Sequence, residues 1–83
     1  MLKALSDPTR LTMMAALWKA EGPICICDFT ASLDLSQPTI SHHMGRLKEA
    51  GLVESEKQGI WIYYRLNEAL PRSTRQVLAQ LLG

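Results

Sequence analysis

The feature that most constrains the fold of this chain is a break of three residues, Asp34-Leu35-Ser36, between two short amphipathic segments. Ser36 is a favourable helix N-cap, and Pro38 falls within the first turn that follows it. The downstream helix is therefore predicted to run from Gln37 to Ala50, with Gly51 as its C-terminal stop. Its inner face carries apolar residues at helical spacing: Ile40, Met44 and Leu47.

The segment upstream of this break predicts a helix, a short strand and a second helix. Asp7-Pro8 is typical of a helix start, and Gly22-Pro23 is typical of a helix end. The run Ile24-Cys25-Ile26-Cys27 alternates isoleucine with cysteine and predicts a brief strand. Asp28 is then the predicted N-cap of the short helix that leads into the break.

The segment downstream of Gly51 predicts a β-hairpin and a terminal helix. Leu52 to Glu56 and Ile60 to Leu66 are predicted strands, joined by a turn at Lys57-Gln58-Gly59. The aromatic residues of the second strand are predicted to pack against the core and not to stack on bases: Trp61, Tyr63 and Tyr64. The tail from Arg72 to Leu82 predicts an amphipathic helix with apolar residues at Val77, Leu78, Leu81 and Leu82.

The order of these elements predicts a mainly α domain with a small β-hairpin, a winged helix-turn-helix. The chain has 83 residues, so we expect a single domain spanning residues 1–83. The helix-turn-helix is predicted at about residues 28–51, the wing at about 52–66 and the C-terminal helix at about 70–82. Neither an apolar run of about 18 residues nor a signal peptide is present in this sequence, so we expect a cytoplasmic protein without a membrane partner.

Local pattern, and not bulk charge, indicates a DNA ligand. The net charge is only +1 and the pI is 7.8, below the pI of about 9 typical of nucleic-acid binders. The outer face of the predicted 37–50 helix, however, carries side chains that can hydrogen-bond base edges: Gln37, Thr39, Ser41, His42, His43 and Arg46. Ser36 adds a helix N-terminus that suits a phosphate. The alternative is an ordinary solvated face, which Ser, Thr and His disfavour as mediocre helix formers.

The predicted wing and the two histidines each allow two interpretations. Lys57, Gln58 and Arg65 can contact phosphates, or they belong to a solvated turn. His42 can contact DNA or hydrogen-bond within the domain, while His43 can be solvated. A metal shared by the two histidines is not expected, because adjacent helical residues point about 100° apart.

Several segments of the chain resemble the arsenical-resistance repressor (ArsR) family of metal-sensing regulators. Leu2 to Leu11 resembles the first segment of the family, and Leu35 to Met44 resembles its recognition helix. Glu49 to Val53 and Trp61 to Leu66 resemble the end of that helix and the wing. The resemblance covers roughly residues 2–67, and its motifs are specific in combination.

This resemblance implies a homodimer that binds an inverted-repeat operator in double-stranded DNA, with repression relieved by an effector. It also implies that the first and last helices build the dimer, so the 70–82 helix is the dimerisation helix. The family pattern places base and backbone contacts on Ser36, Gln37, Thr39, Ser41 and His42, and wing contacts on Lys57 and Gln58. Together with Arg46 on the same helix face, these are the predicted DNA-binding residues.

The two cysteines, Cys25 and Cys27, are candidate metal ligands. Residues two apart in a strand share a face, so the predicted strand presents both sulfurs on one side. Thiolates select thiophilic ions over magnesium or calcium. The alternative is that both residues are small buried hydrophobes in a core strand. A bridge between them closes a strained loop, so in a reducing cytoplasm we expect free thiols.

The segment Cys25 to Phe29 resembles the Cys-Val-Cys-Asp-Leu box that holds arsenite, antimonite or a soft divalent ion in the family. In its arsenite-binding members a third cysteine follows three residues after the second, and here that position is Thr30. A residue before Met1, solvent or a small thiol completes the site, or the effector is a trivalent organoarsenical that needs two thiolates. The expected effector is trivalent arsenic or antimony, ahead of cadmium, lead or zinc. The family's zinc site on the terminal helices is not expected, since no histidine follows His43 and no aspartate follows Asp34.

The predicted function is therefore a repressor that releases its operator when a thiophilic species bridges Cys25 and Cys27. Drawing the sulfurs together is expected to distort the helix cap at Asp28 and to re-aim the recognition helices. One alternative keeps DNA binding and makes the thiols a redox switch with no metal effector. Another is a protein-interaction module that has lost DNA affinity. An enzyme is not predicted, because no base and orienting group accompany the cysteines in the sequence pattern.

Overall fold

The computed structural model describes residues 4–20 and 22–82, so Leu2 and Lys3 of the first resembling segment lie outside the described residues. A 3₁₀ turn at Ala4–Ser6 precedes the first helix. The helices of the described part are α1 (Pro8–Lys19), α2 (Ile26–Leu33), α3 (Gln37–Glu49) and α4 (Arg72–Leu82). The strands are β1 (Ile24–Cys25), β2 (Val53–Gln58) and β3 (Trp61–Leu66). This order of elements confirms the predicted winged helix-turn-helix fold.

Helix α1 begins at the predicted residue because Asp7 caps it. The Asp7 carboxylate accepts the amide N–H groups of Thr9 at 2.8 Å and Arg10 at 3.2 Å, which are otherwise unpaired at a helix N-terminus. Pro8, which has no N–H, occupies the first helical position. Burial acts to raise the pKa of Asp7, but the two amide hydrogen bonds and the nearby His43 and Arg10 charges lower that pKa below its ordinary value. The cap is therefore an ionised carboxylate at neutral pH.

The connection between α2 and α3 is as tight as predicted. Asp34 ends α2 in the left-handed region, with φ 53° and ψ 41°, which short polar residues tolerate better than bulky ones. Ser36 caps α3, since its Oγ accepts the Thr39 amide N–H at 3.4 Å and lies 2.8 Å from Thr39 Oγ1. The direction of α3 relative to α2 thus depends on the backbone conformation of Asp34 at one end of the turn and on the Ser36 cap at the other.

The predicted four-residue strand before α2 is only partly correct. β1 contains only Ile24 and Cys25, and α2 begins at Ile26 with Cys25 at the N-cap position. The predicted cap at Asp28 is wrong, because Asp28 lies in the first turn of α2, where an acidic residue favours the helix dipole. The reason is packing: Ile26 and Phe29 are three residues apart and both buried, a spacing that fits one face of a helix and not of a strand.

The described sheet is antiparallel and has the strand order β1-β3-β2. β2 extends through Lys57 and Gln58, so the predicted turn at Lys57-Gln58-Gly59 is wrong. Gln58 pairs with Trp61, which leaves Gly59 and Ile60 as a two-residue turn. Gly59 has a φ of 64°, the left-handed first position that such a turn requires. Ile60 therefore stands at the tip of the wing with 84% of its surface exposed.

One apolar core connects the helices to the sheet. Its fully buried large side chains come from α1, α3, the start of β2 with the residue before it, and α4: Met13, Met14, Ile40, Met44, Leu47, Leu52, Val53 and Leu78. The prediction that the β3 aromatics pack inward is confirmed for Tyr64, which is buried, while Tyr63 is half-buried. It is wrong for Trp61, which is 48% exposed because it adjoins the wing turn beyond the core.

Helix α4 has the amphipathic character that the sequence predicts, but only part of its apolar surface is covered. Leu78 and Leu82 pack into the core, whereas Val77 and Leu81 are exposed. Leu81 lies with Leu82 beside Leu11 and Ala15 of α1, where these residues line an open groove. None of the described helices has the length and apolar character needed to cross a bilayer.

Candidate nucleic-acid interface and thiol pair

Helix α3 is oriented by its buried apolar residues, and its opposite face is exposed at the surface. Ile40, Met44 and Leu47 have no exposed surface, so the core fixes the rotation of the helix about its axis. The predicted DNA-binding residues of this segment lie at the surface: Ser36, Gln37, Ser41, His42 and Arg46 are exposed, and Thr39 is half-buried. These residues occupy the cap and the outer side of one helix, as a recognition helix requires.

One flank of α3 is fastened to the sheet. The Ser41 side chain hydrogen-bonds the Tyr64 hydroxyl of β3. Burial raises the pKa of Tyr64, although the hydrogen bond with Ser41 opposes that rise. Further along the helix, Lys48 Nζ donates to Ser55 Oγ of β2 at 2.8 Å. The wing is therefore held at a defined position relative to the recognition helix.

The other flank of α3 is fastened to α1. Arg10 Nε donates a hydrogen bond to His43 Nδ1 at 3.0 Å, and His43 is half-buried. The interpretation that His42 bonds within the domain and His43 is solvated is thus reversed, because His43 faces α1 while His42 is exposed. The His42 ring contacts only the edge of the His43 ring in the described contacts, at a centroid distance of 5.8 Å. His42 is consequently available to a partner on the outer face.

Two of the predicted contact residues of the wing lie at the surface, and the third forms ion pairs within the sheet. Lys57 and Gln58 are exposed at the end of β2, next to the turn. Arg65 instead pairs with Glu54 at 2.9 Å and Glu56 at 3.7 Å on the neighbouring strand. The hydrogen bond and charge of Glu54 raise the pKa of Arg65. Arg65 is therefore paired within the hairpin, and its contact with a phosphate stays a prediction.

Arg46 has a partner of its own on the same helix. Its Nη1 lies 3.4 Å from Glu49 Oε2, one turn further along α3, and both side chains are more than half exposed. Exposed pairs of this kind contribute little to stability, typically about 0–1 kcal/mol. A phosphate or a base edge can therefore replace Glu49 as the partner of Arg46 with little loss of stability.

The two thiols lie together, although not on a shared strand face. Cys25 is buried at the end of β1, Cys27 is exposed in the first turn of α2, and Cys27 Sγ donates a hydrogen bond to Cys25 Sγ at 2.8 Å. That hydrogen bond raises the pKa of Cys27, and partial burial and the charges of Cys25 and Asp28 act in the same direction. The predicted juxtaposition of the sulfurs is correct, but it arises from a strand-to-helix junction.

The donor set of this pair suits a soft ion or metalloid and is incomplete within the described residues. Two thiolates bound at about 2.3 Å to a tetrahedral ion lie about 3.8 Å apart, farther than the 2.8 Å between these sulfurs, so the pair must separate to hold such an ion. No cluster of three or more His, Cys, Asp or Glu side chains able to hold a metal occurs in residues 4–20 and 22–82. Thr30, at the position of the family's third cysteine, uses its hydroxyl to bond the Cys27 carbonyl at 2.8 Å.

Sequence reasoning missed Arg10 and Lys48 as neighbours of the recognition helix. The partner of Arg10 lies 33 residues away and that of Lys48 lies on the wing, so no local pattern links them. One signal was present for Arg10. A cation in the first turn of a helix opposes the helix dipole, which is unusual where no other role exists.

A polar helix displayed after a tight turn, with a hairpin held beside it, defines a winged helix-turn-helix domain of the class that reads DNA. The family described as "Bacterial regulatory protein, arsR family" matches residues 7–55. The chain belongs to the ArsR family of bacterial regulatory proteins.

Individual relatives agree with this family. The chain is 44% identical over 70 residues to the arsenic resistance transcriptional regulator ArsR1 of Pseudomonas putida, covering 84% of this chain and 54% of that protein. It is 40% identical over 78 residues to the arsenical resistance operon repressor of Escherichia coli, covering 94% and 66%. A homodimeric winged helix-turn-helix DNA-binding domain from Mycobacterium bovis matches with a TM-score of 0.77 and 26% identity, covering 95% of this chain and 68% of that chain. The chain thus spans between about half and two thirds of the length of these two curated relatives.

Proposed function

We propose that this chain is the DNA-binding domain of a transcriptional repressor that acts in the cytoplasm as a homodimer on operator DNA. The observation that carries the proposal is the outward polar face of α3, which holds the predicted base contacts Gln37, Thr39, Ser41, His42 and Arg46 over a fully buried apolar face. Ser36 at the cap and Lys57 and Gln58 on the wing supply backbone contacts on either side of it.

The dimer is supported by the groove between α1 and α4. Val77 and Leu81 of α4 are exposed apolar residues, and Leu81 lines the groove together with Leu11 and Ala15 of α1. A small domain that leaves apolar side chains on a terminal helix gains stability when a second copy covers them. The structurally similar domain from Mycobacterium bovis is itself homodimeric. A two-fold dimer through these helices places two recognition helices side by side for two operator half-sites.

The effector we propose is a thiophilic species, with trivalent arsenic or antimony preferred, that bridges Cys25 and Cys27. The soft donor pair supports this class of ligand, and relatives carry the names of arsenic and arsenical resistance regulators. Because this structure supplies two sulfurs, a trivalent organoarsenical satisfies its two free valences at the pair without a third protein ligand. Arsenite needs a third donor from outside the described residues.

Effector binding reaches the recognition helix by two short routes. Cys25 pairs with Tyr63 across the β1–β3 ladder, and the next residue, Tyr64, bonds Ser41 of α3. Cys27 lies in the first turn of α2, which packs on α3. An atom bound between the two sulfurs moves Cys27 relative to Cys25 and therefore shifts the start of α2 against the sheet. This replaces the expected closure of the pair and distortion at Asp28.

Operator release by defined effectors tests this function. A duplex selected from a random inverted-repeat library serves as the operator, and fluorescence anisotropy follows its binding. Phenylarsine oxide is expected to lower operator affinity by about 5- to 150-fold, the range of a coupling of about 1–3 kcal/mol. The Cys25→Ser, Cys27→Ser double variant is expected to bind the operator and to ignore the effector. Release of the double variant by phenylarsine oxide contradicts the proposal, and release of the wild type by diamide alone favours the redox alternative.

A further inference from the structure

Arg10 joins α1 to the flank of α3 through one of its hydrogen-bond donors. Its Nε donates to His43 Nδ1 at 3.0 Å. A guanidinium has five N–H donors, and within residues 4–20 and 22–82 this bond is the one hydrogen bond that the Arg10 guanidinium donates. Among the described residues, the ion pairs involve Arg46 and Arg65 and do not include Arg10. The nearby Asp7 carboxylate is occupied as a helix cap by the amide groups of Thr9 and Arg10.

The position of His43 places this guanidinium at one edge of the recognition face. His43 follows the exposed His42 and lies about 100° further around the helix. Thr39 and Arg46, four residues before and three residues after His43, share its side of α3. The opposite edge is defined by Ser41, which contacts the sheet. The outer face of α3 is thus bordered by the wing on one side and by Arg10 on the other.

A helix that enters the major groove has phosphates on both sides of it. The groove is about 12 Å wide and an α-helix with side chains is about 10–12 Å across, so cations at the helix edges meet the two backbones. Lys57 of the wing belongs to the sheet side. On the α1 side, the described cation bonded directly to the edge of α3 is Arg10. A planar guanidinium held by Nε presents its Nη groups in the fork that matches a phosphate.

We propose that Arg10 is a DNA-backbone contact, oriented by its hydrogen bond to His43, that binds a phosphate on the α1 side of the groove entered by α3. This inference rests on the proposed operator binding. It also accounts for a cation in the first turn of α1, where the helix dipole disfavours positive charge. Phosphate contact positions the protein without reading sequence, so Arg10 contributes equally on operator and unrelated duplexes.

The test is the salt dependence of operator binding by Arg10→Gln, Arg10→Lys and the matched control Arg72→Gln on the exposed start of α4. Each lost phosphate contact reduces the slope of log K against log salt by about 0.9, or about 1.8 for the two copies in a dimer. The ratio of the wild-type affinity to the Arg10→Gln affinity is therefore expected to fall about 12-fold between 50 and 200 mM salt. Arg10→Lys keeps the charge and is expected to restore the slope, and Arg72→Gln is expected to match the wild type.

The role of His43 is tested in the same titration. His43→Ala is expected to weaken operator binding when it is introduced into the wild type. It is expected to change the operator affinity little when it is added to Arg10→Gln, since His43 acts through Arg10. An Arg10→Gln slope equal to that of the wild type overturns the inference, even if affinity falls, because a purely structural role leaves the slope unchanged. An Arg10→Lys slope equal to that of Arg10→Gln also overturns it. If the wild type itself shows no salt-dependent DNA binding, the proposed function fails and this inference fails with it.

Discussion

Replacing Leu81 by glutamine tests the proposed dimer through a residue that the single chain leaves uncovered. Leu81 is 53% exposed, and full burial of a leucine side chain contributes about 1.5–3 kcal/mol. Covering the exposed half is therefore worth about 0.8–1.6 kcal/mol per copy. A two-fold interface counts the residue twice, which gives about 1.6–3.2 kcal/mol. The expected result is a dimer dissociation constant raised by about 15- to 200-fold.

Sedimentation equilibrium over a range of protein concentrations measures this constant. Glutamine has a helix propensity close to that of leucine, so the substitution removes apolar contact without weakening α4 itself. Ile60→Gln is the matched control, because Ile60 is an exposed branched aliphatic residue of the wing tip, away from the α1–α4 groove. Ile60→Gln is expected to leave the dimer intact. An unchanged dissociation constant for Leu81→Gln, or an equal effect of both variants, refutes the proposed interface.

Three further predictions concern the recognition helix, the turn and the first cap. His42→Ala is expected to lower operator affinity about 30-fold in anisotropy titrations, since a base contact of about 1 kcal/mol is lost twice per dimer, whereas Gln76→Ala on exposed α4 surface is expected to have no effect. Asp34→Val is expected to lower the Tm in circular dichroism by about 4–8 °C because a β-branched residue is strained at φ 53°, while Asp34→Gly is not expected to lower it. Asp7→Asn is expected to be less stable than the wild type at pH 7, and this gap should shrink as the pH falls below about 4. Because the folded-state pKa of Asp7 is lowered, the stabilisation by its charge is present above the ordinary pKa and is lost as the pH falls through the folded value. Asn keeps a capping oxygen, so an undiminished gap in urea unfolding at pH 3 would contradict the contribution of the Asp7 charge.

The helix boundaries that depend on local chemistry could be predicted from the sequence. Asp7 and Ser36 cap their helices because their side chains accept unpaired amide N–H groups two or three residues away. Gly51 follows α3 with a φ of 77°, a conformation that glycine adopts without strain at a helix end. The start of α2 could not be predicted in this way. Alternation of Ile and Cys over four residues fits a strand and equally a helix start, and only the burial of Ile26 with Phe29 distinguishes them.

The recognition face follows from helical phase, but its flanks depend on tertiary contacts. The apolar spacing of α3 predicts which side is polar, and the exposed positions of His42 and Arg46 agree with it. The contact of Arg10 with His43 joins residues 33 positions apart, and sequence periodicity contains no information about such pairs. For the two thiols, the prediction that the sulfurs lie close together is correct, but the four-residue strand expected to bring them together does not form. Their sulfurs are 2.8 Å apart because Cys25 ends β1 and Cys27 lies in the first turn of α2, which follows directly.

Reciprocity provides the decisive test of the proposed thermodynamic coupling between the Cys25–Cys27 pair and the recognition helix. Isothermal titration of the purified chain with phenylarsine oxide, with and without saturating operator, gives the factor by which DNA weakens effector binding. Anisotropy gives the factor by which the effector weakens DNA binding. The two factors are expected to be equal and to lie at about 5–150. Effector binding at the cysteines with an affinity that the operator does not change would contradict it.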